Sequence, residues 1–120
     1  DMGTSYLLPK IVGAGIAREL MLTGRIIDAA EAHRIGLANE LAAPGDLLYA
    51  AVAKAAEIAG NNGYGVWQTK TGLNTALDAP SLRHAKEIEN RTQVLSTFTG
   101  NSAEAALAHQ QKRPPVWNDL

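Results

Sequence analysis

The chain has 120 residues, the size of one domain or of one large piece of a domain. Its net charge of -1, from 11 Lys+Arg against 12 Asp+Glu, lacks the cationic surplus that displaces counterions from a phosphate backbone, so no nucleic-acid partner is expected. The chain has no cysteine, which excludes disulfides, thiolate metal sites and thiol nucleophiles and accords with a cytoplasmic location; no apolar run approaches the ~18–20 residues of a membrane span, so no membrane partner is expected. The apolar fraction is 46%, much of it alanine, and aromatics are only 5%, a composition suited to helices packed closely against something else.

Residues 4–11 predict a first short helix, with Tyr6, Leu7 and Leu8 apolar and Pro9 ending or kinking it. Val12-Gly13-Ala14-Gly15 predicts a break. Ile16, Leu20 and Thr23 then share one helical face, and Gly24 closes that helix. Asp28-Ala29-Ala30-Glu31 has the pattern of a capping box, an N-cap acceptor with a carboxylate three residues on. It opens a short helix over residues 29–34, which Gly36 ends. Residues 37–41 are the one strand candidate, a weak one because none is β-branched.

Pro44-Gly45-Asp46 opens a longer helix to about Ala59. Leu48, Ala51, Val52, Ala55 and Ala59 recur at helical spacing, with Lys54 and Glu57 pointing away. After Asn61-Asn62-Gly63, the residues Val66, Thr69, Leu73 and Leu77 define the next helix, interrupted by Gly72. Asp78-Ala79-Pro80 punctuates again, and residues 81–98 predict a helix that buries Leu82, Ala85, Ile88, Thr92 and Leu95. Asn101 with Glu104 repeats the capping-box pattern, and a last helix runs to about Arg113, where Pro114-Pro115 stops it.

Several pieces of the chain, in order, resemble the enoyl-CoA hydratase/isomerase (crotonase) superfamily. Gly3-Thr4 followed by Leu8-Pro9 and Val12-Gly13 is similar to its G-T-x-x-L-P-x-x-V-G segment. Glu19-Leu20-Met21-Leu22-Thr23-Gly24 is similar to its E-L-x-L-T-G stretch, and Glu31-Ala32 with Gly36-Leu37-Ala38-Asn39 to its E-A-x-x-x-G-L-V-N. Glu104, then Lys112-Arg113-Pro114-Pro115-Val116-Trp117, resembles the family's E-x-x-x-A-F-x-E-K-R-x-P-x-F terminus. One such piece is weakly specific; their order and spacing over nearly the whole chain is strongly so. His109 stands where the family has an aromatic, Gln111 where it has Glu, and Ala105 where it has Gly. These departures bear on the lining of an acyl or CoA site.

The resemblance implies a fold that is mostly α over residues 1–120, the C-terminal helical region of an α/β crotonase-like fold whose core is a spiral of ββα turns. It implies a cap and oligomerisation region, a homotrimer or hexamer, and an N-terminal portion of the same protein, encoded ahead of Asp1, that holds the spiral, the oxyanion hole and the main CoA loop. The activity it implies is that of an enoyl-CoA hydratase, a lyase, or an enoyl/dienoyl-CoA isomerase acting through a stabilised thioester enolate. The segment alone is then expected to be inert. The coenzyme A thioester is the substrate, and no cofactor is expected.

Asp1 precedes x-G-T, where dienoyl-CoA isomerases similarly carry an acid/base carboxylate; burial raises such a group's pKa towards neutrality and suits it to proton transfer. The competing role for Asp1 is a cap of the first helix. Lys112 and Arg113 sit where the family places a cation near the CoA phosphates, Lys112 being the preferred one, against a solvated basic helix end as the alternative. His109 occupies the position of an aromatic that faces the acyl chain, against an exposed or hydrogen-bonded histidine. His33 and His84 have no partner at ligand spacing, so no metal site is expected. Trp67 and Trp117 read as packing residues, Trp117 as an anchor against a neighbouring subunit. The competing function is a non-catalytic helical oligomerisation or interaction module; a helix-turn-helix regulator is disfavoured by the neutral charge.

Overall fold

A computed structural model describes residues 2–118. Seven helices follow in order among these residues: α1 (Thr4–Val12), α2 (Ala14–Thr23), α3 (Ala29–Arg34), α4 (Leu47–Ala59), α5 (Gly63–Ala76), α6 (Leu82–Thr97) and α7 (Asn101–Gln111). The chain divides between Ala50 and Ala51, inside α4, into two compact units.

In the first unit α1 packs against α2, and Val12 and Ala17 are the buried apolar residues. Pro9 neither ends nor breaks α1, which runs three residues past it. The proline ring removes one N–H, yet its own carbonyl still accepts from Gly13, 3.0 Å away. The break shrinks to Gly13 alone, at φ 83°, and Gly15 lies within α2. Gly24, at φ 62°, closes α2 with its N–H on the Leu20 carbonyl, as expected.

The Asp28 side chain caps α3 by accepting from the Glu31 N–H at 2.7 Å. The reciprocal half of the capping box is replaced. Both Glu31 carboxylate oxygens take the Arg25 guanidinium, at 2.7 and 2.8 Å, and Arg25 also reaches Glu19 of α2 at 3.0 Å. A forked arginine competes well for a carboxylate against one backbone N–H. It holds the Glu31 pKa below its ordinary value.

Residues 37–41 form no strand, contrary to expectation. The Leu37 and Ala38 N–H groups both turn back to the Ala32 carbonyl, at 2.8 and 3.1 Å, and His33 Nδ1 lies 3.1 Å from the Ala38 carbonyl. Local bonds at the end of α3 thus use the donors that a ladder needs.

The predicted apolar face of α4 exists but lies open: Leu48 is 76% exposed and Val52 57%, and no residue of this helix is fully buried. In the second unit α5 packs on α6, and α6 on α7. Asn62 caps α5 by accepting from Tyr64 N–H at 3.1 Å, and Gly72 sits inside that helix without interrupting it. Ser81 caps α6 through the His84 N–H, matching the expected start. Ala85, Ile88, Thr92 and Ser96 form the half-buried stripe of α6, whereas Leu82 and Leu95, predicted as core, are exposed. They flank the contact stripe rather than belonging to it. Only Val12, Ala17, Ala108 and Asn101 are fully buried among the described residues.

Candidate functional site

Of the described candidates, His109 and Lys112 lie at the C-terminal end of α7, both exposed, and Arg113 just beyond it is half-buried. Asp1 lies outside the described residues. The helix ends at Gln111, two residues short of the expected Arg113. Lys112 N–H donates to the His109 carbonyl at 3.2 Å and Arg113 N–H to the Ala108 carbonyl at 3.1 Å. This closure needs a left-handed residue, a place that glycine usually takes. Lys112 takes it at φ 51°, ψ 40°; for a residue with a Cβ that conformation costs roughly 1 kcal/mol.

The left-handed step turns the chain back along α7. Arg113 forks onto Glu104, Nη1 to Oε1 and Nη2 to Oε2, the latter at 3.0 Å. Its Nε donates to the Gln111 side chain at 2.7 Å, and Nη1 also to the Pro114 carbonyl at 3.0 Å. Val116 N–H then donates to the same Glu104 carboxylate at 2.7 Å. Further on, Asn118 meets Asn101 at the start of the helix. Contacts that advance along the tail therefore retreat along α7, so residues 113–118 form an antiparallel strap on this helix. Trp117 fastens the strap sideways, its Nε1 donating to the Gly60 carbonyl at 3.0 Å.

The electrostatics follow from this geometry. The Arg113 fork, and after it the Val116 N–H, hold the Glu104 carboxyl down to about 2 from an ordinary 4.5. The fork onto Glu104 in turn raises Arg113.

Asn101 and Glu104 do not form the expected capping box. Gly100, at φ 77°, precedes α7 without a side-chain cap, and the Asn101 amide is turned inward, 1% exposed. It donates to Asn62 Oδ1 at 3.2 Å and to the Asn118 carbonyl at 3.3 Å. Burial of an amide is tolerated because its bonds are made. Trp117 is anchored within its own chain by its indole, while Trp67 is 60% exposed and meets Tyr64 edge-on, 5.9 Å between centroids. The Glu104–Arg113 pair escaped the sequence reading because a separation of nine residues matches no helical neighbour spacing. A chain reversal is needed to bring the two together. The signal available was a lysine, rather than glycine, directly before the arginine that turns back.

Among the described residues no cluster of three or more His, Asp or Glu could hold a metal ion, and no helix is long and apolar enough to cross a membrane. A groove of about 530 Å³ runs between α5 and α6, and one of about 820 Å³ lies beside Ile58, Val66, Leu73 and Trp117. Neither includes His109 or Lys112.

The family model for enoyl-CoA hydratase/isomerase matches residues 1–120. The chain is 41% identical over 120 residues to a probable enoyl-CoA hydratase, EchA12, of Mycobacterium tuberculosis, a match that covers 99% of this chain and 42% of that protein. It is similar in structure to a probable enoyl-CoA hydratase/isomerase from Mycobacterium abscessus, with a TM-score of 0.90, 39% identity, and coverage of 97% of this chain and 45% of that one. A similar likeness holds to the enoyl-CoA hydratase EchA1 from Mycobacterium marinum, with a TM-score of 0.89, 33% identity, and coverage of 98% and 46%. The chain thus spans less than half the length of the relatives it matches. The family model spans the whole chain, and the chain belongs to the enoyl-CoA hydratase/isomerase family of the crotonase superfamily.

Proposed function

We propose that this chain is the C-terminal helical cap and oligomerisation region of an acyl-CoA-processing enzyme, a 2-enoyl-CoA hydratase or an enoyl/dienoyl-CoA isomerase of the cytoplasm. The observation that carries this reading is the family match over all 120 residues by a chain whose helices leave their apolar faces open. Open faces such as that of α4 suit a helix that rests on further protein. In this reading the β-rich spiral precedes Asp1, and the assembled protein is a homotrimer or hexamer. No cofactor takes part beyond the coenzyme A carried by the substrate.

The chemistry divides between two portions. Backbone N–H groups of the upstream portion polarise the thioester carbonyl and stabilise the enolate oxygen. In hydration, water gives one proton to a carboxylate base as its oxygen bonds to Cβ and the Cα=Cβ electron pair moves towards the thioester; a proton is then delivered to Cα. In isomerisation one proton leaves an allylic carbon and another arrives along the same conjugated system. The Asp1 carboxylate is suited to carry such a proton. The Lys112 ammonium binds CoA phosphate, and His109 borders the acyl chain.

The test uses the full polypeptide that carries the upstream residues, assayed on crotonyl-CoA for loss of the conjugated enoyl absorbance, on a 3-enoyl-CoA for its gain and on a 3,5-dienoyl-CoA for the conjugated dienoyl product. Turnover in one of these, reduced by Asp1→Asn, is expected; no turnover in any of them overturns the enzymatic reading. The 120-residue chain alone should be inert and bind a hydrophobic dye. A defined oligomer that unfolds cooperatively and leaves the dye unbound would instead favour a self-sufficient helical module.

A further inference from the structure

Lys112 is left-handed in a place that glycine fills at lower cost, so something must hold it there. Its two neighbours supply the hold. Before it, Gln111 ends α7 and offers its side-chain oxygen to Arg113 Nε at 2.7 Å. After it, Arg113 is committed by four hydrogen bonds, two of them to Glu104. The Val116 N–H, three residues further on, rests on the same carboxylate at 2.7 Å. One carboxylate in the first turn of α7 therefore fastens the backbone beyond Lys112 at two points. The Lys112 side chain is exposed, and its Cα–Cβ direction is set by the two backbone bonds that close α7, onto the His109 and Ala108 carbonyls, together with this fastening.

We propose that the Glu104–Arg113 pair is a positioning device for Lys112: it locks that residue's left-handed turn so that the ammonium is presented in one direction to the phosphates of a CoA thioester. The inference rests on the phosphate-binding reading of Lys112 given above. Glu104 and Arg113 are positioning residues here and touch no substrate. Pre-ordering the base of a long cationic side chain lowers the entropy lost when it grips an anion, so the device acts on affinity for the phosphorylated part of the ligand. The acyl chemistry is left alone.

Equilibrium binding of CoA and of pantetheine, which lacks the nucleotide phosphates, separates the possibilities in the full polypeptide by calorimetry. Glu104→Gln should weaken CoA binding about three- to tenfold, the scale of losing one pre-ordered side chain, and leave pantetheine unchanged. Arg113→Lys keeps an ion pair but loses the fork, and should fall between wild type and Glu104→Gln; it also serves if Glu104→Gln fails to fold. Lys112→Ala should weaken CoA binding at least as much, and the Glu104→Gln/Lys112→Ala double variant should be no worse than Lys112→Ala alone. Equal weakening of CoA and pantetheine by Glu104→Gln, or an additive double variant, overturns the positioning role. If Lys112→Ala itself leaves CoA binding intact, it is the underlying reading of Lys112 that fails.

Discussion

Asn118 and Asn101 exchange two hydrogen bonds, the Asn118 N–H to Asn101 Oδ1 at 2.8 Å and Asn101 Nδ2 to the Asn118 carbonyl at 3.3 Å. The side-chain amide of Asn101 pairs with the tail backbone as a neighbouring strand would. Asn118 Nδ2 adds a bond to the Thr99 carbonyl at 3.2 Å, and Asn62 accepts the second Asn101 donation at 3.2 Å. The tail, the start of α7 and the cap of α5 therefore share one amide cluster, with Asn101 at its centre.

Replacing Asn101 by Ala strands the Asn118 N–H and carbonyl and leaves Asn62 Oδ1 with one donor fewer. The expected cost is about 1–3 kcal/mol, read as a lower urea midpoint at unchanged slope. Asn101→Asp keeps the acceptor for Asn118 N–H but sets carboxylate oxygen against two carbonyl oxygens, so it should not rescue. A midpoint within error of wild type for Asn101→Ala would show that the cluster contributes nothing.

Glu104 is held at about 2 against an ordinary 4.5. A carboxylate whose folded pKa is depressed contributes stability that is complete above its unfolded pKa and is lost as pH falls through the folded one. The melting temperatures of wild type and Glu104→Gln should therefore differ near neutrality and converge as pH falls from about 4.5 to about 2. Solvent around a pair with side-chain exposures of 35% and 17% keeps the difference modest. A gap that persists unchanged at pH 2 would assign the effect to packing instead.

Ser81 begins α6 by accepting from His84 N–H at 3.2 Å. Ser81→Ala should destabilise the protein by about 1 kcal/mol, whereas Ser81→Asp should restore the acceptor and the stability. Thermal unfolding followed by far-ultraviolet circular dichroism gives the comparison. Equal melting temperatures for Ser81→Ala and wild type would show that α6 starts independently of its cap.

Local rules were legible wherever the cause of a feature lay within one turn. Gly24 ends α2, Asp28 and Ser81 start α3 and α6, and α4 ends at Ala59, because short-range hydrogen bonding and backbone sterics act between residues close in the chain. The family, too, was written in ordered short motifs. Where two partners compete for one group, sequence spacing misled. Glu31 and Glu104 both have the spacing of a capping box, but a forked arginine takes each carboxylate.

By itself, then, the sequence determined the succession of helices, most of their ends and membership of the family. Tertiary structure alone decided that the tail runs back along α7, that Asn101 turns inward, and that Arg113 and Val116, beyond the left-handed Lys112, both close onto Glu104. The reason is physical: helix ends are settled by neighbours along the chain, whereas the strap exists only once a reversal brings distant donors and acceptors within bonding distance.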